Sequence, residues 1–383
     1  MRLLHTSDWH LGRTLHRADL GSAQAAFLDH LVETVRAERV DAVLVAGDVF
    51  DRAVPSVDAV ELYDAAVTRL LETGARLVVL SGNHDSAVRL GVNASALARA
   101  GLHVRTRPRA AAEPVVLQDA HGPVEVFGIP YLEPEAVRGA LPEGTPGGHL
   151  GVLGWATGAV RAARTAPRSV VLAHAWVTGG ETSDSERDIT VGGVGSVPAS
   201  LFDGTTYTAL GHLHGAQALR DDLRYSGSPL AYSFSEARHR KSSWLVDLDA
   251  HGLAAVARVE APVPRALSTL RGTLRDLLTD PALAGQEGDW VSAVLTDAVR
   301  PEDAMRRLQQ RFPHALVLGF APDGVAADDR SYAARVQARP DLDVVAEFVR
   351  HVRAGGDAGD ATDEERALLQ RALEATRLAA ASA

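Results

Sequence analysis

The chain has 383 residues, a formal net charge of −10 at neutral pH and a mean hydropathy close to zero, which allows two or three domains around a large buried core. It contains no cysteine, which excludes disulfides and thiolate chemistry and favours a cytoplasmic location. The negative charge argues against binding of nucleic acid through bulk positive charge, and no apolar run approaches the roughly 18 residues of a membrane span.

Short apolar runs alternate with amphipathic segments through the first part of the chain. In chain order the pattern predicts a strand over 2–6, a helix from Gly21, a strand over 42–46, a helix from Pro55, a strand over 76–80, a helical segment from Ser86, a hairpin over 115–127, a helix over 149–164, and strands over 170–173 and 207–210. Alternating strands and helices are typical of a parallel sheet with helical connections. Segment 177–196, rich in Gly, Ser and acidic residues, is predicted to be a long loop.

A proline-rich stretch at 262–264 indicates a linker. Strand and helix patterns alternate again between 266 and 320, and two amphipathic helices are predicted from Pro340 onward. We therefore predict three parts, namely a main domain over 1–260, a small α/β domain over 264–335 and a helical tail over 340–383.

Polar side chains follow five of the predicted strands directly. They are, in chain order, Asp8 and His10, Asp48, Asn83 and His84, His174, and His212 and His214. We expect these side chains to meet, because open α/β sheets collect ligands at the carboxyl ends of their strands. In an extended segment, residues i and i+2 point to the same side, so Asp-x-His and His-x-His each present two ligands to one point.

Carboxylate, imidazole and amide donors without thiolate suit divalent ions such as manganese, iron or zinc. Seven ligands exceed the needs of one ion with an open position, and they suit two ions that share a carboxylate. Asp48 stands alone at its strand end and is the expected bridge. Such an ion pair can clamp a phosphate during in-line attack. Each motif alone is more often an ordinary polar turn, so the prediction depends on finding all five in one domain.

Together these motifs resemble the calcineurin-like metallophosphoesterase superfamily. Three runs are similar to its bacterial nuclease branch: Ser7-Asp8-Trp9-His10-Leu11-Gly12-Arg13, Gly47-Asp48-Val49-Phe50-Asp51-Arg52 and Tyr225-Ser226-Gly227-Ser228-Pro229. The resemblance implies an α/β metallophosphoesterase sandwich, a small α/β capping domain over 264–335, and a C-terminal helical tail that docks on an ATPase partner.

The resemblance also assigns roles to the motif residues. It implies one metal site made of Asp8, His10, Asp48 and His214, and a second made of Asp48, Asn83, His174 and His212, with manganese as the usual ion. His84 would be the catalytic residue that protonates or stabilises the leaving oxygen. Asp85 would hold the His84 imidazole in orientation.

By the same resemblance, the chain is expected to be a DNA nuclease subunit active in DNA repair and recombination. It would act with an SbcC-type coiled-coil ABC ATPase, two copies of each, as an ATP-dependent double-strand exonuclease and a single-strand or hairpin endonuclease. The branch also forms homodimers, for which the helices near 22–38 and 56–72 are candidates. The sequence has no Walker-type phosphate loop, so ATP would bind to the partner.

Basic residues beside the motifs are candidate contacts to DNA phosphates, or else solvated surface charges: Arg13, Arg17, Arg52, Arg89 and the run 238–241. Two other functions remain open at this point. One is a small-molecule phosphomonoesterase or cyclic-nucleotide phosphodiesterase that uses the same metals, and the other is a non-catalytic scaffold that keeps the fold.

Overall fold

The computed structural model describes residues 1–190, 195–323, 340–352 and 360–381. The chain forms two compact units, Met1–Pro264 and Arg265–Ala383. The boundary between them lies at the predicted linker. The predicted border between the capping domain and the tail falls on residues 324–339, outside the described residues, and so do residues 191–194 of the predicted long loop.

The described part of the first unit contains fourteen strands: β1 (Arg2–Thr6), β2 (Thr14–Leu15), β3 (Ala18–Asp19), β4 (Ala42–Val45), β5 (Arg76–Leu80), β6 (Leu102–Arg105), β7 (Val115–Asp119), β8 (Gly122–Ile129), β9 (Arg168–His174), β10 (Tyr207–Gly211), β11 (Gln217–Arg220), β12 (Leu223–Tyr225), β13 (Ser242–Asp249) and β14 (Gly252–Glu260). Its helices are α1 (Gly21–Glu38), α2 (Val57–Glu72), α3 (Ala87–Leu90), α4 (Ala94–Leu97), α5 (Pro134–Val137) and α6 (Gly148–Ala163).

Two six-stranded sheets form the body of this unit. The first has the order β14-β13-β1-β4-β5-β6, in which β1, β4, β5 and β6 run parallel and β13 is antiparallel to its neighbours. The second has the order β11-β12-β10-β9-β8-β7, with β8, β9, β10 and β12 parallel. Its outer strands β7 and β11 are antiparallel to β8 and β12.

The sheets pack face to face, and helices cover their outer faces. Alternate residues of β5 show this arrangement: Val78 and Leu80 lie in the core shared with the second sheet, whereas Leu77 and Val79 lie in the core under α1 and α2. On the opposite side, α6 packs on the second sheet. Because the central strands are buried on both faces, their sequences are nearly continuous apolar runs. The layers are therefore helix, sheet, sheet and helix, as predicted for the fold class.

The second unit has a three-stranded parallel sheet in the order β15-β16-β17. Its elements in the described residues are β15 (Leu267–Gly272), α7 (Leu274–Thr279), β16 (Trp290–Leu295), α8 (Ala304–Arg311), β17 (Ala315–Phe320), α9 (Asp341–Val352) and α10 (Asp363–Ala381). Its core joins the sheet to α7 and α8 through Leu270, Leu277, Val291, Leu308 and Phe312.

Some local predictions were incomplete. The helical segment from Ser86 is two single turns, α3 and α4, separated by Gly91 and by Asn93 in a left-handed conformation. Strand β6 was not predicted from the sequence, and its four residues alternate between buried and half-buried. No helix in the described parts of the chain is long and apolar enough to cross a bilayer.

Candidate metal centre

The loops that follow β1 and β4 are joined by backbone hydrogen bonds. The backbone amide of Asp8 donates to the Gly47 carbonyl, and that of His10 donates to the Asp48 carbonyl, each at a distance of 3.0 Å. Asp8, His10 and Asp48 all have positive φ values, of 53°, 45° and 50°, and His212 has 106°. Such angles are uncommon outside glycine and mark functional sites, where the surrounding structure over-determines them. Four of the nine non-glycine residues with positive φ in the described part of the chain are predicted ligands.

Two glycines allow the strand ends to approach each other. A Cβ atom at Gly47, where φ is 98°, would lie 2.3 Å from Nδ1 of His174. A Cβ atom at Gly82 would lie 2.1 Å from Oδ1 of Asp48. Both distances are far below van der Waals contact, so the Gly-Asp and Gly-Asn-His motifs need glycine for space.

One donor cluster combines both sheets. Ligand atoms of Asp8, His10 and His214 lie within 4.8 Å of one another, and all three residues are buried. Nε2 of His10 is 3.1 Å from Nε2 of His214 and 3.7 Å from Oδ2 of Asp48. The Asp8 carboxylate also accepts the backbone N–H of His212, which ties β1 to the loop after β10.

A second cluster adjoins the first. Oδ1 of Asn83 is 2.9 Å from Nε2 of His174 and 3.1 Å from Nδ1 of His212. Oδ2 of Asp48 is 3.5 Å from Nε2 of His174, so Asp48 stands between the two clusters. Nδ1 of His174 faces the Ala46 carbonyl at 2.8 Å and donates to it, which leaves the Nε2 lone pair for the cluster. All seven predicted ligands are thus brought together, and their assignment to individual ions stays a prediction.

The electrostatics of this donor set suit divalent cations. Burial and the neighbouring Asp48 carboxylate raise the pKa of Asp8, because two close carboxylates repel each other. Burial lowers the pKa of His10, His174 and His212, which keeps their imidazoles neutral. Neutral imidazoles are the form that binds metal, and a cation between the carboxylates removes their repulsion. The residues present therefore fit divalent metal ions.

His84 lies at the edge of both clusters with 8% of its surface exposed. Its ring is edge-on to that of His10, with centroids 4.6 Å apart, and it lies close enough to His10 and Asp48 to count among possible ligands. Nδ1 of His84 is 2.8 Å from the Asp51 carbonyl, so Nε2 is the ring nitrogen that does not take part in this contact. The catalytic role of His84 stays a prediction.

The expected orienting role of Asp85 was wrong. Its carboxylate accepts the backbone N–H groups of Val49, Phe50 and Gly82 over 2.9 to 3.0 Å, so it fastens the loop after β4 to the loop after β5. The Asp51 carbonyl is the group that holds the His84 ring. Burial, followed by the charge of Asp48, raises the pKa of Asp85 to about 7.

Sequence reasoning missed a set of residues behind His214. The backbone N–H of His214 donates to Glu186 at 2.7 Å, and its Nδ1 is 2.5 Å from the Ser185 hydroxyl. Ser185 in turn donates to Glu236. Burial acts to raise the pKa of Glu236, but Lys241 and His214 outweigh it and hold that pKa below its ordinary value. None of these residues follows a predicted strand, so position along the sheet gave no signal.

The candidate DNA contacts differ in their exposure and in their partners. Lys241 is 4% exposed and paired with Glu236, so it is neither a candidate contact to DNA phosphate nor a solvated surface charge. Arg13 lies over the ring of Tyr232 and donates to the Ser185 carbonyl at 2.8 Å. Arg52 is 78% exposed. Arg187, not singled out from the sequence, is exposed and donates to the Asn83 carbonyl at 3.2 Å, beside the second cluster.

Comparison with known proteins gives two family matches. Residues 1–153 match the model of the calcineurin-like phosphoesterases, and residues 263–353 match SbcD_C, described as the type 5 capsule protein repressor C-terminal domain. Among solved structures, the TT1561 protein of Thermus thermophilus is 16% identical over 67% of this chain and 98% of that chain, with a TM-score of 0.39. A dimetal phosphatase from Danio rerio is 13% identical over 68% and 99%, with a TM-score of 0.40.

One family match lies in the first unit of the chain, and the other covers much of the second. The phosphoesterase match contains the first four ligand positions and His84, and the SbcD_C match begins at the boundary between the two units. These four positions belong to the donor set that fits divalent metals. The chain therefore carries a domain of the calcineurin-like phosphoesterases, a family of metal-dependent hydrolases, followed by an SbcD_C domain, a combination consistent with SbcD.

Proposed function

We propose that this chain is the nuclease subunit of an SbcCD-type complex and hydrolyses DNA phosphodiesters during DNA repair, recombination and replication in the cytoplasm. The observation that carries the proposal is the pair of donor clusters around Asp48 with His84 at their edge. The SbcD_C match supports a complex of this type, with a coiled-coil ABC ATPase of the SbcC kind as partner. A small-molecule phosphatase would leave the second unit without a purpose.

Each group has a defined part in this proposal. Asp8, His10, Asp48 and His214 would hold one ion, and Asp48, Asn83, His174 and His212 would hold the other. Two divalent ions, for which we propose Mn²⁺, supply an activated water and neutralise phosphate charge when bound. Nε2 of His84 would give a proton to the leaving oxygen, while the Asp51 carbonyl holds Nδ1 at 2.8 Å. Arg187, exposed beside Asn83, would contact a DNA phosphate.

A homodimer is part of the same proposal. The apolar side chains of α1 that were candidates for the interface, such as Phe27 and Leu31, are buried in the core instead. Six exposed apolar side chains belong to the segment between residues 54 and 97, and we name them the valine patch: Val54, Val57, Val60, Val88, Val92 and Leu97. Three of them line a surface hollow of about 420 Å³ beside α2. We propose this patch as the dimer interface, because clustered exposed apolar side chains are typical of interaction surfaces.

The test is cleavage of an end-labelled linear duplex with Mn²⁺, with and without the co-expressed ATPase and ATP. We expect cutting that requires both the partner and ATP. We also expect the His84→Ala variant to lose at least 100-fold in rate while it still binds metal, since general acid catalysis contributes roughly 100- to 10,000-fold. Metal content by mass spectrometry separates loss of chemistry from loss of the ions.

The result that would contradict the nuclease assignment is equally specific. Rapid hydrolysis of a small phosphate ester with no cleavage of DNA in any combination would leave the fold and the metal centre standing and would favour a small-molecule phosphatase. A protein that binds no divalent ion would favour the non-catalytic scaffold.

A further inference from the structure

The chain has one lysine, Lys241, among its 39 lysine and arginine residues, and that lysine is buried. It is 4% exposed, and its partner Glu236 is 1% exposed. Lysine and glutamate are almost never fully buried unless paired. The one lysine of this chain is therefore a buried, paired group, and its contacts decide whether arginine could replace it.

The contacts of the Lys241 ammonium group suit lysine and not arginine. Nζ of Lys241 donates to the His214 carbonyl at a distance of 3.0 Å, to the Ser228 hydroxyl at 2.9 Å, and to Oε2 of Glu236. An ammonium has three donors, and all three are used. A guanidinium carries five donors in a planar fork and would leave some of them buried without partners.

The carboxylate connects this ion pair to a predicted metal ligand. Oε1 of Glu236 accepts the Ser185 hydroxyl and lies 3.4 Å from Nδ1 of His214. Since the Ser185 proton points to the carboxylate, the Ser185 oxygen is an acceptor for Nδ1 of His214, 2.5 Å away. Nδ1 must then carry the proton, and the lone pair lies on Nε2, which faces His10 at 3.1 Å.

Stability alone does not explain this arrangement. Buried ion pairs are often replaced by apolar residues at no cost, because desolvation offsets the attraction between the charges. Histidines that bind metal, in contrast, regularly donate their second N–H to a carboxylate, which fixes the tautomer and orientation of the ring. Glu236 accepts the hydroxyl of Ser185, which contacts the His214 ring, and Lys241 donates to the His214 backbone carbonyl. The ion pair therefore controls the position of the whole residue.

We propose that Glu236 and Lys241, acting through Ser185, are positioning residues that hold His214 with its Nε2 lone pair directed at a divalent cation. The inference rests on the two-metal function proposed above. Removal of the carboxylate is expected to weaken binding of one of the two ions by about 10- to 100-fold and to leave the other unchanged.

The experiment is calorimetric titration of the full-length, metal-free protein with Mn²⁺. The wild type is expected to bind two ions, and Glu236→Gln is expected to lose affinity for one. Glu125→Gln is the matched control, because Glu125 is 4% exposed and hydrogen-bonded to Thr165, away from the donor clusters. The double variant Glu236→Gln with Lys241→Met removes both buried charges, so it is expected to keep the fold without the carboxylate.

A second measurement does not depend on metal. In ¹⁵N-histidine-labelled, metal-free protein, NMR is expected to show His214 as the Nδ1–H tautomer, with its signal assigned by its loss in His214→Gln. Unaltered binding of both ions by Glu236→Gln, recovery of wild-type affinity in the double variant, or an Nε2–H tautomer in the wild type would each overturn the proposal. If the wild type binds no Mn²⁺, the two-metal function fails, and the tautomer still decides whether the relay positions His214.

Discussion

His5 shows how a single buried side chain ties stability to pH. Its ring lies in β1, fully buried, with Nδ1 2.9 Å from the Tyr207 hydroxyl and Nε2 3.0 Å from the Leu210 carbonyl. Burial lowers the pKa of His5 to about 3. The folded state therefore keeps this ring neutral at pH values where the unfolded chain, with an ordinary histidine pKa near 6.5, binds a proton.

We predict that His5→Gln reduces the acid sensitivity of the free energy of unfolding. Below about pH 6.5 the unfolded state binds one more proton than the folded state at this position, so stability falls by up to ~1.4 kcal/mol for each pH unit. Between pH 7.5 and pH 5.0, the wild type should lose about 2 kcal/mol more than the variant. Urea unfolding at both pH values, with chelator present, measures this difference; equal losses would show that His5 is protonated in the folded state.

At the residue scale, the sequence was informative where residue type and strand position agree. The predicted ligands follow strands, and their chemistry is visible in the sequence, so Asp48 and His174 were easy to select. Asp85 was misassigned because its neighbour in sequence, His84, is not its neighbour in the fold. Glu236 was missed because its role depends on contacts across 22 and 51 positions in the chain, with His214 and Ser185.

At the scale of elements, the strand ends meet only because glycine follows β4 and lies after β5. We predict that Gly82→Ala abolishes metal binding and destabilises the first unit, because the added Cβ would overlap Asp48, with its backbone nitrogen at 2.4 Å as well as the carboxylate. Overpacking of this kind costs about 1–3 kcal/mol or more. Gly158→Ala is the control, since that glycine lies in α6 with open space around it. Thermal unfolding and Mn²⁺ titration of both variants give the comparison.

The valine patch gives a second prediction at this scale. Val92 is 56% exposed and lines the hollow beside α2, so Val92→Asp is expected to convert a dimer into monomers by placing a charge in an apolar interface. Val116→Asp changes a valine of similar exposure, 54%, on β7 and should leave the mass unchanged. Light scattering after size exclusion reports both masses. A wild-type monomer, or a dimeric Val92→Asp, would remove the patch from consideration.

Over the whole molecule, all seven predicted ligands lie in the first of two units. We predict that Mn²⁺ raises the unfolding temperature of the calorimetric transition of that unit and leaves the transition of the second unchanged, because a ligand stabilises only the state that binds it. Chelator should reverse the shift. Equal shifts of both transitions, or a single transition, would show that the units unfold together.

The fold class was predicted correctly because it depends on patterns that span many residues. Continuous apolar runs such as 42–45 and 76–80 require a strand buried on both faces, and the amphipathic segments between them supply the covering helices. The pairing of β13 with β1, which inserts an antiparallel strand from far along the chain into the first sheet, was beyond the sequence. Register between strands so distant is set by packing, which one sequence does not display.

The distribution of the donor residues along the chain has a consequence for biosynthesis. The first lies at residue 8 and the last at residue 214, and each proposed ion needs either His212 or His214. A ribosome must therefore translate the chain at least as far as His212 before either site is complete. Nascent or prematurely terminated chains that end before His212 carry Asp8, His10 and Asp48 without His212 and His214. Unfinished copies of this hydrolase are therefore expected to lack the complete donor set on which its chemistry depends.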